Sequence, residues 1–238
     1  MGIAVMRFGG SDGPSHNKGA LYSSVTPQSE VSIRQEELLA HAIAQLGNPL
    51  TVCTRLPATQ RELKHCSVLL LRLDSPADKL NKIMTSAAQH GITVILTPAD
   101  PDTSPDPALA CRADFLITTE SELESFTGKP IHSFAQREEA GKILLNLGLK
   151  NLIITLGDQG CLWMSQGKTR HVAAYKVNTA DTHAAPEAFI GCFAHYYAKD
   201  SDILNALEHA SLYAACCASR TGTARTFPSL AEFQVFRP

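Results

Sequence analysis

Apolar and polar residues follow two rhythms along this chain. Short, nearly continuous apolar runs occur at 3–8 ("IAVMRF"), 50–56 ("LTVCTRL"), 67–73 ("SVLLLRL"), 92–98 ("ITVILTP"), 114–119 ("DFLITT") and 151–157 ("NLIITLG"). Such runs predict strands, and their lack of a polar face predicts burial on both sides. Between them, apolar residues recur every three or four positions over 35–46 ("QEELLAHAIAQL"), 78–90, 136–147, 186–198 and 203–219, with Gly47, Gly91 and Gly148 closing the first three. These stretches predict helices. A short acidic helix is expected at "ESELESFTG", and "CLWMSQ" with "TRHVAAYK" predicts a hairpin around Gly167. Residues 11–32 and the proline-rich 98–108 read as loops. Regular alternation of strand and helix predicts an α/β fold, a mostly parallel sheet with helices on both faces, in a single domain over residues 1–238.

Composition narrows the function classes. A hydrophobic content of 44% suits a full-sized core, and a formal charge of -2 with no long block of one sign argues against nucleic acid as the main partner. No run approaches the roughly 18 apolar residues of a membrane helix, so no membrane role is expected. The first ten residues lack a signal-peptide layout, and Met6 stands where myristoylation wants Ser or Thr. The seven cysteines include no C-x-x-C pair and read as small buried hydrophobes in a reducing compartment, which points to the cytoplasm.

In open α/β sheets ligands bind beyond the carboxyl ends of the strands, and four candidate clusters fall there. The first is "DTHAAPE" (181–187), where a helix start offers unpaired N–H groups and a positive dipole end to an anion. Pro186 lacks an N–H and Glu187 brings negative charge, so an ordinary helix entry is an equal reading. The second, "TLGDQG" (155–160), is either a nucleotide loop or a plain turn. The third, Glu120, Glu122 and Glu124, is either a hydrated Mg²⁺ site or a solvated acidic helix start. The fourth, "SRTGTARTFPS" (219–229), either wraps a nucleotide or turns the chain. The histidines form no metal pattern, and neither a Walker-type loop nor a G-x-S-x-G motif is present.

Taken in order, "CSVLLLRLDSP", "GITVILTPADP", "ADFLITTESELESFTG", "LIITLGDQGCLWM", "DTHAAPEAFIGCF" and "AACCASRTGTARTFPS" resemble the ribokinase-like (PfkB-type) family of carbohydrate kinases from about Leu63 onward. The resemblance implies a ribokinase-like α/β fold. It also implies an anion hole at Ala184, Ala185 and Pro186 and a general base at Glu187, where the family's D-T-x-G-A-G-D motif has Asp. Nucleotide contacts are implied at Thr119, Thr155, Gly157, Gly160, Ser211 and Gly222, and a water-mediated Mg²⁺ contact at Glu122. Asp181 and His183 fall where the family places a monovalent-cation loop, so ATP and Mg²⁺, with K⁺ as an option, are the cofactors implied for an active kinase, and none is implied otherwise.

The chain departs from the family pattern at several points. Pro186 replaces a glycine, Glu187 an aspartate and Thr119 the Asn of N-x-x-E. "VSIRQEELL" stands where the sugar-binding G-G-x-G-x-N is expected. "TVCTRLPATQRELKHCSVLLL" runs almost directly from strand to strand, so the β lid is expected to be absent or vestigial and dimerisation through it is not expected. An alternative register makes "GIAVMRF" a lid strand. Two functions therefore stand open. One is a degenerate pseudokinase with a binding or regulatory role, a retained nucleotide pocket and an unknown protein partner. The other is an active ATP-dependent kinase that phosphorylates a hydroxyl of a sugar, nucleoside or similar small molecule with Glu187 as base.

Overall fold

A computed structural model of the chain describes residues 2–6, 35–47, 50–53, 66–73, 77–98, 106–222 and 226–237. Its strands are β1 (Gly2–Met6), β2 (Leu50–Cys53), β3 (Cys66–Arg72), β4 (Thr93–Thr97), β5 (Phe115–Thr119), β6 (Asn151–Thr155), β7 (Cys161–Ser165) and β8 (Lys168–Val172). All eight belong to one sheet in the order β2-β1-β3-β4-β5-β6-β7-β8. The first six in that order run parallel, and the β7–β8 hairpin continues the sheet antiparallel. β1 lies between β2 and β3, parallel to both, so it is an inner strand of the main sheet and the lid-strand register is wrong.

The continuous apolar runs are explained by two cores, one on each face. Val68 and Leu70 of β3 point to one core and Leu69 and Leu71 to the other; Phe115 and Leu116 of β5 divide the same way. Side chains alternate with period two, so a strand covered on both faces must be apolar at every position. One core is roofed by α2 (Ala77–Gln89), α3 (Pro107–Ala110), α4 (Glu120–Thr127) and α5 (Phe134–Asn146). The opposite core is roofed by α1 (Gln35–Gln45), α6 (Ala185–Asp200), α7 (Ile203–Ala218) and α8 (Leu230–Val235). α2 buries Leu80, Ile83, Met84 and Ala87, one stripe at helical spacing. α7 begins at Asp202, whose carboxylate accepts from the N–H groups of Leu204 and Asn205 at 3.0 and 3.1 Å. α1 and α6 approach closely at Gly191, where a β-carbon would sit 2.9 Å from the Ala42 methyl.

Two elements differ from the sequence expectation. The proline-rich stretch ends in a helical turn, α3, because Asp106 caps it by accepting from the Ala108 N–H at 2.9 Å and Pro107 suits a first helical position. The chain after "SRTGTARTFPS" forms α8, started by a Ser229–Glu232 capping box. The loop expected at 11–32 and the end of the strand expected to reach Leu56 lie outside the described residues. Cys66, Cys161, Cys192, Cys216 and Cys217 are buried, and no disulfide joins cysteines among the described residues. No helix among those residues is long and apolar enough to cross a membrane.

The α6–α7 seam carries a pH dependence. His195 of α6 is pushed down from 6.5 to about 4, first by burial and then by the charges of Lys199 and His209. Its folded value lies below its unfolded value, so the unfolded chain binds more protons between pH 6.5 and 4. This contribution to stability is complete above about 6.5 and is lost as pH falls toward 4. Full burial would make a shift of that size about 3 kcal/mol; His195 is partly exposed, so solvent screening brings the expected loss to about 1–2 kcal/mol. Urea titrations at pH 7.5, 6 and 4.5 should reveal it, and His195→Gln should flatten the slope.

Candidate functional site

β5 and β6 end side by side. Thr119 pairs with Thr155 in the parallel register, and Thr155 Oγ1 donates to the Thr118 carbonyl at 3.3 Å. Beyond the following turn Thr155 pairs with Cys161, the first residue of β7. Ser211 of α7 stands beside Cys161, whose thiol burial pushes up to about 12, an effect the Ser211 hydroxyl partly offsets. That hydroxyl oxygen is buried and has no hydrogen-bond partner of ordinary geometry.

α6 runs back along the sheet against the strand direction. The Phe193 and Tyr197 rings pack 5.3 and 4.8 Å from Phe115 at the start of β5, which leaves the first turn of α6 at the carboxyl end of the strands. The N–H groups of Ala180 and Asp181 donate to the Ala218 carbonyl at 2.8 and 3.1 Å, fixing the approach to α6 against the end of α7. Thr119, Thr155, Gly157, Ser211, Asp181, residues 184–187 and Gly222 therefore gather at the edge where α/β sheets bind ligands.

The start of α6 offers little to an anion. Ala184 is the N-cap and has no capping side chain. The Ala185 N–H donates to the Thr182 carbonyl at 3.1 Å, and Pro186 has no N–H to give. Of the three anion-hole positions the sequence pointed to, one donor is used internally and one does not exist. Glu187 occupies the third helical position with 6% exposure. Asp181 Oδ1 accepts from the His183 N–H at 2.9 Å, so the proposed cation ligand closes a local turn.

Each carboxylate of the acidic cluster at α4 has a partner within the protein. Glu122 forms a capping box with Thr119: its Oε2 accepts from the Thr119 N–H at 2.7 Å and from the Thr118 hydroxyl at 3.2 Å. Glu120 pairs with Arg137 at 2.6 Å, and Glu124 Oε1 accepts from the Ile131 N–H at 2.5 Å. Among the described residues no three His, Cys, Asp or Glu side chains are placed to hold a metal. The three carboxylates do not fit Mg²⁺ as a joint ligand set, because each is turned to a protein donor.

The glycines of "TLGDQG" serve different needs. Gly157 has φ +58°, and a β-carbon there would meet open space. It is exposed at the strand end. Gly160 has φ +95°, and a β-carbon would lie 2.0 Å from the Val172 carbonyl oxygen. It is therefore required by the hairpin's own backbone. Gly222, at φ +96°, is exposed with open space around it.

The surroundings of Glu187 were not visible in the sequence. Burial pushes the Cys217 thiol of α7 up to about 11, Thr226 partly offsets it, and the Glu187 charge adds a minor push upward. Cys217 and Thr226 lie 30 and 39 positions away along the chain, and no spacing rule links them.

A model of the pfkB carbohydrate kinase family matches residues 42–230. The deoxyribokinases of Salmonella typhi and Salmonella typhimurium are 37% identical over 175 residues, covering 74% of this chain and 57% of theirs. A Staphylococcus aureus ribokinase is 28% identical over 165 residues, covering 69% of this chain and 54% of its own. The chain thus spans little more than half the length of these curated relatives. Among solved structures, Arabidopsis thaliana ribokinase complexed with ribose and ATP superimposes with a TM-score of 0.81 at 17% identity, covering 98% of this chain and 97% of that one. A putative ribokinase II from E. coli with ATP and Mg²⁺ gives 0.72 at 16% identity, covering 98% and 97%. The sheet order, the two helical layers and the match over most of the sequence agree: this chain belongs to the PfkB family of carbohydrate kinases and has the ribokinase-like fold.

Proposed function

We propose that this protein is a degenerate member of its family, a single-domain pseudokinase that keeps a nucleotide pocket and serves a binding or regulatory role. The observation that carries this reading is the first turn of α6, with Pro186 at the second helical position, the Ala185 N–H turned to Thr182 and Glu187 buried. Phosphoryl transfer depends on positioning and on donors aimed at developing charge. A missing oxyanion donor costs about 10²–10³-fold. A base displaced by about one ångström costs on the order of 10²-fold.

The nucleotide end of the site supports a retained pocket, although Thr119 departs from the family's Asn. Thr119 and Thr155 lie together, Gly157 and Gly222 leave their backbones open, and Ser211 keeps a buried hydroxyl nearby. Relatives of the same fold are described with ATP, Mg²⁺ and ribose, which supports a nucleotide as the ligand here. Magnesium would enter with the nucleotide phosphates and keep its waters, and Glu122, whose capping bonds fall on Oε2, would meet it through one of them. Support for K⁺ is weaker, because Asp181 accepts from its own loop.

Calorimetry with ATP and with ADP, each with Mg²⁺, should give dissociation constants below about 1 mM, while ADP release with ribose, 2-deoxyribose, fructose and nucleosides stays far below the roughly 1–100 s⁻¹ of working kinases. Robust phosphorylation of any of these would overturn the reading. The second reading, an active sugar kinase with Glu187 as base, draws its support from the 37% identity to deoxyribokinases. It requires Glu187→Gln to abolish whatever turnover exists.

A further inference from the structure

The turn that joins β6 to β7 leans on the far strand of the hairpin. Residues 156–160 close on themselves. The Gln159 N–H donates to the Leu156 carbonyl at 3.1 Å, the Gly160 N–H to the Gly157 carbonyl at 3.2 Å and the Leu156 N–H to the Gly160 carbonyl at 2.8 Å. Those bonds fix the shape of the turn but not how it sits on the hairpin. Its seat is the end of β8. The Gly160 backbone comes so near that a β-carbon there would lie 2.0 Å from the Val172 carbonyl oxygen and 2.6 Å from the Ala174 nitrogen. The next residue back on each side is joined as well: His171 Nε2 lies 2.8 Å from the Gln159 carbonyl oxygen. A carbonyl oxygen only accepts, so this ring nitrogen carries the proton and donates.

The sheet fixes where His171 stands. It pairs with Leu162 of β7, and Leu162 pairs with Ile154 of β6, the strand that feeds the turn. The ring thus reaches from a strand held in register to a turn whose residues Gly157, Asp158 and Gln159 are exposed. Exposed turns with little packing open most readily, and a tether to a fixed strand opposes that opening. His171 is itself exposed, so the bond does more to hold this one carbonyl than to stabilise the fold.

We infer that His171 is a positioning residue for the nucleotide: its Nε2–H holds the Gln159 carbonyl and so sets how the 157–160 turn meets a nucleoside di- or triphosphate. That role rests on the nucleotide reading above, which places the ligand at Gly157. A ligand binds more tightly to a turn already held in its bound shape, because less freedom is lost on binding.

The test compares wild type with His171→Leu, which removes the donor, and His171→Gln, which returns an N–H at similar reach. The position is exposed, so both variants should fold, with thermal midpoints within about 2 °C of wild type. In nucleotide-free protein, hydrogen exchange read by mass spectrometry should speed up over 156–161 in His171→Leu and stay at the wild-type rate in His171→Gln. Peptides over β5 should be unchanged in both. Calorimetry with ADP and Mg²⁺ should give a dissociation constant raised about 3–10-fold in His171→Leu and within about twofold of wild type in His171→Gln, the range expected for one hydrogen bond. Equal ADP affinity in wild type and His171→Leu would overturn the positioning role and leave the nucleotide reading standing. A loss shared by His171→Gln would overturn it too, since the ring's bulk and not its donor would then be at work. Weaker ADP binding with unchanged exchange over 156–161 would put His171 in direct contact with the ligand, which also overturns positioning. If the wild-type protein binds no ADP, the nucleotide reading fails and the role of His171 falls with it.

Discussion

The double variant Pro186→Gly/Glu187→Asp is expected to transfer phosphoryl groups at least about 10²-fold faster than the wild-type chain, in an ADP-release assay with ATP, Mg²⁺ and the sugar panel. Glycine at 186 returns an N–H to the first turn of α6, and such a donor contributes about 10²–10³-fold when it meets developing charge. Aspartate at 187 draws the carboxylate back by one methylene, toward the length the family motif specifies. A general base in register contributes about 10²–10⁴-fold. The effects act on one transition state and will not multiply cleanly, which is why the lower bound is modest. Removing the proline releases conformational entropy in the unfolded chain, so stability should fall by about 1 kcal/mol, or a Tm drop of about 2–4 °C. A double variant no faster than wild type would show that the first turn of α6 is not what limits the chemistry.

Gly160→Ala is expected to destabilise the protein by about 3 kcal/mol or more. Two effects act at that position. The backbone sits at φ +95°, a conformation that side chains rarely adopt. The added methyl would also lie 2.0 Å from the Val172 carbonyl oxygen, 2.6 Å from the Ala174 nitrogen and 2.7 Å from the Ala173 carbonyl carbon. These obstacles are backbone, so no rotamer change relieves them, and the end of β8 must move. Urea denaturation should register the loss as a lower midpoint at an unchanged slope, with a Tm lower by about 6–12 °C. Gly157→Ala meets open space and carries only the strain of φ +58°. Its stability loss should be the smaller of the two. A Gly160→Ala protein as stable as wild type would mean the hairpin end is looser than its geometry.

The fold was legible because its signals are local. Apolar runs such as "SVLLLRL" and "NLIITLG" announce strands buried on both faces, and β3 and β6 lie within one or two residues of those runs. "ESELESFTG" became α4 with Gly128 closing it in the left-handed region. The capping pairs that start α4 and α8, Thr119–Glu122 and Ser229–Glu232, are also written locally, as a hydroxyl followed three positions later by a glutamate. Glu122 is the instructive case. A glutamate that closes a capping box and one that attends a metal share a spacing, and the structure supplies the capping bond, 2.7 Å from the Thr119 N–H to Oε2.

By itself the sequence determined the α/β class, the family and the loss of a donor at position 186, because each depends on residue identity and near-neighbour order. The tertiary structure decided the rest. It placed Gly2–Met6 inside the sheet, separated the roles of Gly157 and Gly160, and buried Glu187 in the first turn of α6. Those outcomes depend on which distant segments meet. Burial, desolvation and backbone collision are properties of the meeting surfaces, and one-dimensional spacing carries no record of them.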